Sequence, residues 1–234
     1  MKVFDPVPTG THPDNLYPGY RSTKLRGPTL PAVRVRSAAP LSSGIQLKRS
    51  LAAPADADLT AQGKAAPLGE KIIVAGRVTD EDGAPVRDSL IEVWQANASG
   101  RYWHPKDTHP APLDPNFPGY GKLMTDGEGR YRFVTIKPGP YPWGNHDKAW
   151  RPAHIHLSLF GNLYAQRLVT QMYFPGDPLF DYDPIFLSVA DEAARARMVS
   201  RFSLALTEGG EALGYEFDIV LRGREATPIA GERR

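Results

Sequence analysis

A chain of 234 residues, 41% hydrophobic and 23% charged, is long enough to bury a substantial core as one domain, or as one domain with a long arm. A formal charge of +2 and the lack of any Lys/Arg run argue against nucleic acid or a membrane surface as partner. With no Cys there is no disulfide framework, no thiolate metal site and no cysteine nucleophile. The first ten residues, MKVFDPVPTG, hold no apolar leader core, and no stretch nears the roughly eighteen apolar residues of a membrane span. The expectation is a soluble cytoplasmic protein. Its 22 Gly and 23 Pro favour turns and short strands over long helices.

Residues 1–69 form the first unit. Pro6, Pro8, Pro13, Pro18, Pro28, Pro31, Pro40, Pro54 and Pro67 punctuate it, periodicity is lacking, and an alanine-rich stretch, LAAPADADLTAQGKAAP, closes it. Such a segment buries too little apolar area by itself to offset its ordering entropy. It is expected to be an arm that packs on the body or on another chain through Tyr17, Tyr20, Leu25 and Leu30.

Residues 70–234 form the second unit, expected to be the catalytic domain. Lys71 to Thr79 is rich in β-branched residues and meets a turn signal ending at Gly83; Ser89 to Gln95 follows at hairpin distance. Further strand-like runs are Gly129 to Ile136, His154 to Phe160, Leu168 to Phe174 and Tyr215 to Arg222. Their lengths and the intervening Gly, Pro, Asn and Asp clusters predict an all-β antiparallel sandwich. One helix is expected, from Asp191 as its cap to about Leu206, with Gly209 and Gly210 after its end.

Of the six histidines, only His154 and His156 stand two apart inside a strand pattern, so both leave one face. By itself H-x-H is more often an alternating polar strand face than half of a metal site. The approach to it, GPYPWGNHDKAWRPAHIHL, changes that balance, because Tyr141, Trp143, Trp150 and Arg151 crowd beside the histidines in a Pro-stiffened segment. No Cys and no HExxH leave aside the common zinc patterns, and the only carboxylate between Pro138 and Gly161 is Asp147. The anionic side chains on offer are tyrosines. Ionising a phenol of pKa ~10 at pH 7 takes roughly 4 kcal/mol, which a trivalent hard cation supplies more readily than Zn(II) or Fe(II). Tyr141, between Pro140 and Pro142, is the better anchored candidate; Tyr102, in GRYWHPKD, lies in a turn-rich loop where spacing alone favours a simple packing role. Fe(III) with two tyrosinates and one hydroxide is neutral, which a partly buried pocket tolerates.

The motifs GEKIIVAGRV, VWQANASGRY, APLDPNFPGYG, TIKPGPYPW, WRPAHIHLSLFG, TQMYFPGDP and YEFDIVLRG, in that order, resemble those of the intradiol ring-cleaving dioxygenases across nearly the whole body. The resemblance implies a prealbumin-like β-sandwich holding one Fe(III) per chain through Tyr102, Tyr141, His154 and His156. It implies that Arg151 lies by the iron, and that Trp94, Trp143, Gln171, Tyr173 and Ile185 line the substrate pocket. Tyr20, in LYPGYRSTKLRGP, resembles an arm tyrosine that helps to bind substrate. The implied reaction is cleavage of protocatechuate by O2 between its two hydroxyl-bearing carbons, with Tyr141 displaced as substrate binds and Arg151 stabilising developing negative charge. The implied partner is a related α subunit of the same fold in a symmetric assembly of αβ units.

Three other readings stay open at this point. One is an intradiol enzyme for catechol or hydroxyquinol, although those carry an N-terminal helical dimerisation region where this chain is Pro-rich. The second is an α subunit without a working iron site, against which the complete ligand set argues. The third is a metal-free β-sandwich binding module, for which GRVTDEDGAPVRDSLIEVW is a fair match.

Overall fold

Alternation of apolar and polar residues decides which side of each strand is buried, and two such strands carry the architecture. In β1 (Lys71–Thr79) Ile72, Val74 and Val78 point inward; in β7 (His154–Phe160) Ile155, Leu157 and Leu159 do the same. A computed structural model describes residues 7–14, 30, 52–144, 146, 149–160 and 167–230. The remaining strands are β2 (Leu90–Trp94), β3 (Tyr120–Met124), β4 (Arg130–Ile136), β5 (Tyr141–Pro142), β6 (Trp150–Arg151), β8 (Arg167–Tyr173), β9 (Arg201–Phe202), β10 (Leu213–Glu216) and β11 (Ile219–Val220). β1 lies between β4 on one edge and β10 and β11 on the other, with β9 beyond β10; the second sheet runs β3-β2-β7-β8. The two sheets face each other across a core that includes Val74, Phe133, Phe217, Ile91, Val93, Leu157 and Met172. The molecule is the β-sandwich that the strand pattern predicts.

Most pairings are antiparallel, but β1 runs parallel to both β10 and β11. These two are the single strand expected at Tyr215 to Arg222, divided at Phe217 and Asp218. Gly76 explains the break: the Phe217 carbonyl comes so close that a Cβ there would sit 1.9 Å from it, and Asp218 turns its carboxylate onto the Arg77 N–H.

The expected helix is a correction. Helix α2 spans only Glu192–Ala196, following α1 at Pro184–Leu187. Asp191 is its cap, accepting from the Ala194 N–H at 2.7 Å. Beyond it the backbone is taken by the sheet, since Met198 O accepts from the Tyr173 N–H and the Ser200 N–H donates to Tyr173 O. Arg201 and Phe202 then form a strand. The short strands β3, β5 and β6 carry too few apolar residues to show a period.

Of the arm, Leu30 is exposed, while Tyr17, Tyr20 and Leu25 lie outside the described residues. Two described pieces touch the body. The Asp191 N–H donates to Gly10 O and the Ile229 N–H to His12 Nδ1. Leu59, the first residue of the second of two short 3-10 turns (Pro54–Ala57 and Leu59–Ala61), is fully buried in the sandwich core. No helix among the described residues is long and apolar enough to cross a membrane.

Candidate metal centre

The even residues of β7 point away from the sandwich core. Register places Trp94, His156 and Gln171 in one row across β2, β7 and β8, and His154 beside Tyr173 in the next. This outer face is not left to water: His154 is 1% exposed and His156 8%. Three segments cover it, namely the loop after β2, the β5–β6 ribbon and the stretch leading into α1.

The loop after β2 is fixed by Asn97, whose side-chain oxygen accepts from the Ser99 and Arg101 N–H groups, while its carbonyl accepts from Gly100 and Gly139. Gly100 adopts φ +80°, and a Cβ there would lie 2.1 Å from Pro140 O. Loop and ribbon are thereby pressed together, which sets Tyr102 against Tyr141 with ring centres 5.3 Å apart and planes at 86°. The Asp107 carboxylate holds the Tyr102 N–H at 2.7 Å. On the ribbon Tyr141 pairs directly with Arg151.

Four donor atoms meet here. Tyr102 Oη lies 3.0 Å from His156 Nε2 and 3.5 Å from Tyr141 Oη, and Tyr141 Oη lies 3.3 Å from His154 Nε2. Donors about 2.1 Å from one ion stand roughly 3.0–3.4 Å from each other, so the spacing fits a single small cation. His154 Nδ1 lies 2.7 Å from the Pro152 carbonyl, which fixes the proton on Nδ1 and leaves the Nε2 lone pair facing the cluster. Burial, then the charges of Arg151 and His156, holds the His154 pKa well below the usual imidazole range, so the ring is neutral and able to ligate. His156 is stacked on Trp94 at 4.8 Å and 5°, and the Gln171 amide nitrogen lies 3.4 Å from its Nδ1. Among the described residues no group of three or more His, Asp or Glu could hold a metal. The anionic donors that the described cluster offers a cation are the two phenols, which suits a hard trivalent ion.

Arg151 borders the cluster, 1% exposed. Its Nε donates to Asp183 Oδ1 at 2.9 Å and its Nη2 to Asp183 Oδ2 at 3.0 Å; Gln171 Oε1 and, at 3.0 Å, Tyr173 Oη also face Nη2. Nη1 points the other way, 3.4 Å from Tyr141 Oη. Burial alone would lower the Arg151 pKa, but Asp183, Tyr141 and Tyr173 outweigh it and hold the guanidinium charged. Trp143 packs beside it, 5.7 Å from ring centre to Cζ, and belongs with Tyr173 and Ile185 to a second apolar cluster behind the arginine.

The structure thus brings together Tyr102, Tyr141, His154, His156, Arg151, Trp94, Trp143, Gln171 and Tyr173, with Ile185 one layer behind; Tyr20 lies outside the described residues. Sequence reasoning missed Asp183, fully buried and opposite Arg151. The signal was there, since DPIF is an Asp cap followed by Pro at the first helical position. An open groove of about 480 Å³ lies elsewhere, on the outer face of the other sheet, lined by Arg77, Arg130, Arg132, Glu216 and Asp218. It has no buried ligand set, and its Arg201–Asp218 and Arg132–Glu208 pairs are exposed ones of small worth.

Comparison with known proteins points to the same face. A family profile described as Dioxygenase matches residues 46–223, and one described as Protocatechuate 3,4-dioxygenase beta subunit N terminal matches residues 6–38. The chain is 58% identical, over 97% of its own length and 97% of the relative's, to the protocatechuate 3,4-dioxygenase beta chain of Burkholderia cepacia. It is 34% identical to the hydroxyquinol 1,2-dioxygenase of Rhizobium sp. (strain MTP-10005), over 57% of this chain and 46% of that one. Among solved structures, catechol 1,2-dioxygenase from Acinetobacter sp. ADP1 aligns with TM-score 0.51 and 26% identity, over 73% of this chain and 59% of that one. Against the hydroxyquinol and catechol relatives the match is therefore to part of a longer chain.

Proposed function

The chain belongs to the intradiol dioxygenase family, and on that premise we propose that it opens the ring of protocatechuate with O2 to give 3-carboxy-cis,cis-muconate. The observation that carries this is the convergence of Tyr102, Tyr141, His154 and His156 on one point of a buried sheet face. Near-full-length similarity to a protocatechuate enzyme's beta chain, against partial matches to catechol and hydroxyquinol enzymes, favours protocatechuate as substrate.

Tyr102, Tyr141, His154 and His156 would hold one Fe(III) per chain. When bound, Fe(III) supplies the Lewis acidity that holds both catechol oxygens and draws electron density from the ring, opening a ring carbon to O2. The two imidazoles contribute neutral nitrogen, and Tyr102 remains the anionic anchor on its pinned loop. Tyr141 would take a proton from a substrate hydroxyl as substrate binds. Arg151 turns one edge, Nη1, toward the Tyr141 oxygen, where negative charge develops. Trp94, Trp143, Gln171 and Tyr173 shape the space and exclude water, with Ile185 behind them.

The substrate carboxylate needs a cation or several donors. Asp183, Gln171 and Tyr173 already occupy most of the N–H groups of Arg151. The carboxylate therefore falls to groups outside this set, namely the arm at Tyr20 and a related α chain that completes the pocket. In this reading residues 1–69 are an arm shared between body and partner and residues 70–234 the catalytic domain.

Iron analysis, visible absorption and O2 uptake with protocatechuate and catechol, with and without a co-expressed related chain, test the proposal. Tyr102→Phe, His154→Ala and His156→Ala should lower iron content; Tyr141→Phe should keep most of the iron and slow turnover. A colourless, fully active protein would sink it.

A further inference from the structure

The strongest unassigned feature is the buried carboxylate facing Arg151. Asp183 caps α1, with Pro184 fixing the chain after it, and both of its oxygens are filled. Oδ1 accepts from the Ile185 N–H at 3.0 Å and from Arg151 Nε; Oδ2 faces Arg151 Nη2 and the Tyr173 hydroxyl, each at 3.0 Å. Asp183 is 0% exposed, and its oxygens are engaged by Arg151, Tyr173 and the Ile185 N–H. With both oxygens taken up in this way, it sets what Arg151 can do.

We propose that Asp183 is the positioning residue for Arg151: it clamps the Nε–Nη2 edge of the guanidinium so that Nη1 alone meets the Tyr141 oxygen, and it offsets the arginine's charge so that a cation can be held alongside. The inference rests on the iron-dioxygenase reading above. Two physical points support it. A guanidinium has five N–H groups in one rigid plane, so fixing three of them on one side dictates where the other two point. Left uncompensated, a buried positive charge beside His154 and Tyr141 would oppose both the binding of a metal cation and its retention. Nearby, Gln171 shares the Nη2 side but is an uncharged amide, so it cannot supply the second effect.

The test uses the full iron-loaded protein with whatever partner chain its activity needs. Asp183→Asn keeps the shape and removes the charge. It should lower kcat about 10- to 100-fold with KM changed less than about 3-fold, shift the visible absorption of the resting protein, and lower iron content. The same substitution in an Arg151→Met background should change kcat less than about 2-fold further, since a residue that acts through Arg151 has nothing left to position. If Asp183→Asn does not fold, Arg151→Met/Asp183→Leu removes both charges together and should fold, turning over no faster than Arg151→Met alone. An unchanged kcat and spectrum in Asp183→Asn, an equal loss in both backgrounds, or a double variant near the unsubstituted rate would each overturn the proposal while leaving the dioxygenase reading intact. An unsubstituted protein without iron and without protocatechuate-dependent O2 uptake would sink that reading, and this inference with it.

Discussion

The two faces of β7 are built on opposite principles. On the inner face Ile155, Leu157 and Leu159 meet the other sheet and are held by apolar burial alone. On the outer face His154 and His156 are nearly as buried, but among aromatic rings, hydroxyls and an ion pair. The inner face tolerates exchanges of similar volume because packing is non-directional. Its counterpart tolerates little, because each polar group there depends on a partner at a set angle and distance. One strand thus carries the stability of the fold on one side and its chemistry on the other, and the two should fail separately.

The largest effect should come from Leu157→Ala. It deletes a fully buried side chain between the sheets and should cost about 3–5 kcal/mol, read as a lower denaturant midpoint. Iron bound per folded molecule should stay as it was. Were Leu157→Ala to lose iron as His154→Ala does, the two faces would not be independent and the contrast would break.

A matched pair of glycines sharpens the same contrast with a smaller change. An added Cβ would meet the Phe217 carbonyl at 1.9 Å from position 76 and the Pro140 carbonyl at 2.1 Å from position 100. Each clash should cost about 1–3 kcal/mol. Gly76→Ala forces the Phe217 carbonyl away from β1, between the two halves of the last strand, and should lower stability while leaving iron in place. Gly100→Ala pushes the loop of Tyr102 away from the ribbon of Tyr141 and should weaken iron retention more than stability. Metal analysis alongside thermal unfolding of both variants checks the split, and identical profiles would count against it.

How much of this was legible follows the same division. Inner faces announce themselves through period, so the strands at Lys71 to Thr79 and His154 to Phe160 coincide with their expected bounds. Where regularity is broken by a neighbour, sequence gave no notice. The helix expected from Asp191 to about Leu206 ends at Ala196 because Tyr173 claims the backbone of Met198 and Ser200. Tyr215 to Arg222 splits because Gly76, far away in sequence, lets the Phe217 carbonyl come close while the Asp218 carboxylate takes the Arg77 N–H. At the site, residues adjacent in sequence to the histidines, such as Tyr141 and Arg151, were accessible to reasoning from residue type. Tyr102 stood among the tyrosines on offer, but spacing alone favoured a packing role and only the resemblance made it a ligand, because spacing cannot tell which loop folds over which face. Asp183 was missed for a further reason: it lies 32 residues from Arg151, in a segment whose evident role was to start a helix.

The smallest effect belongs to neither face. His12 ties the arm to the far end of the chain by accepting the Ile229 N–H on Nδ1 at 3.1 Å, which only a neutral ring can do. Burial, the cause of the shift, lowers its pKa from the ordinary 6.5. The unfolded chain therefore binds this proton more readily than the folded one, so the contribution of His12 is present above about pH 6.5 and is lost as pH falls through the lowered folded value. At pH 7.5 His12→Ala should cost about 0.5–1.5 kcal/mol, the worth of one hydrogen bond at a half-buried position. The gap between the two proteins should narrow as pH is taken down to about 5, while iron content at pH 7.5 stays equal in both. Urea unfolding of both proteins across that range reads it directly. A gap that stays constant or widens on acidification would mean that the ring is held charged, and that the arm is tethered by something other than this bond.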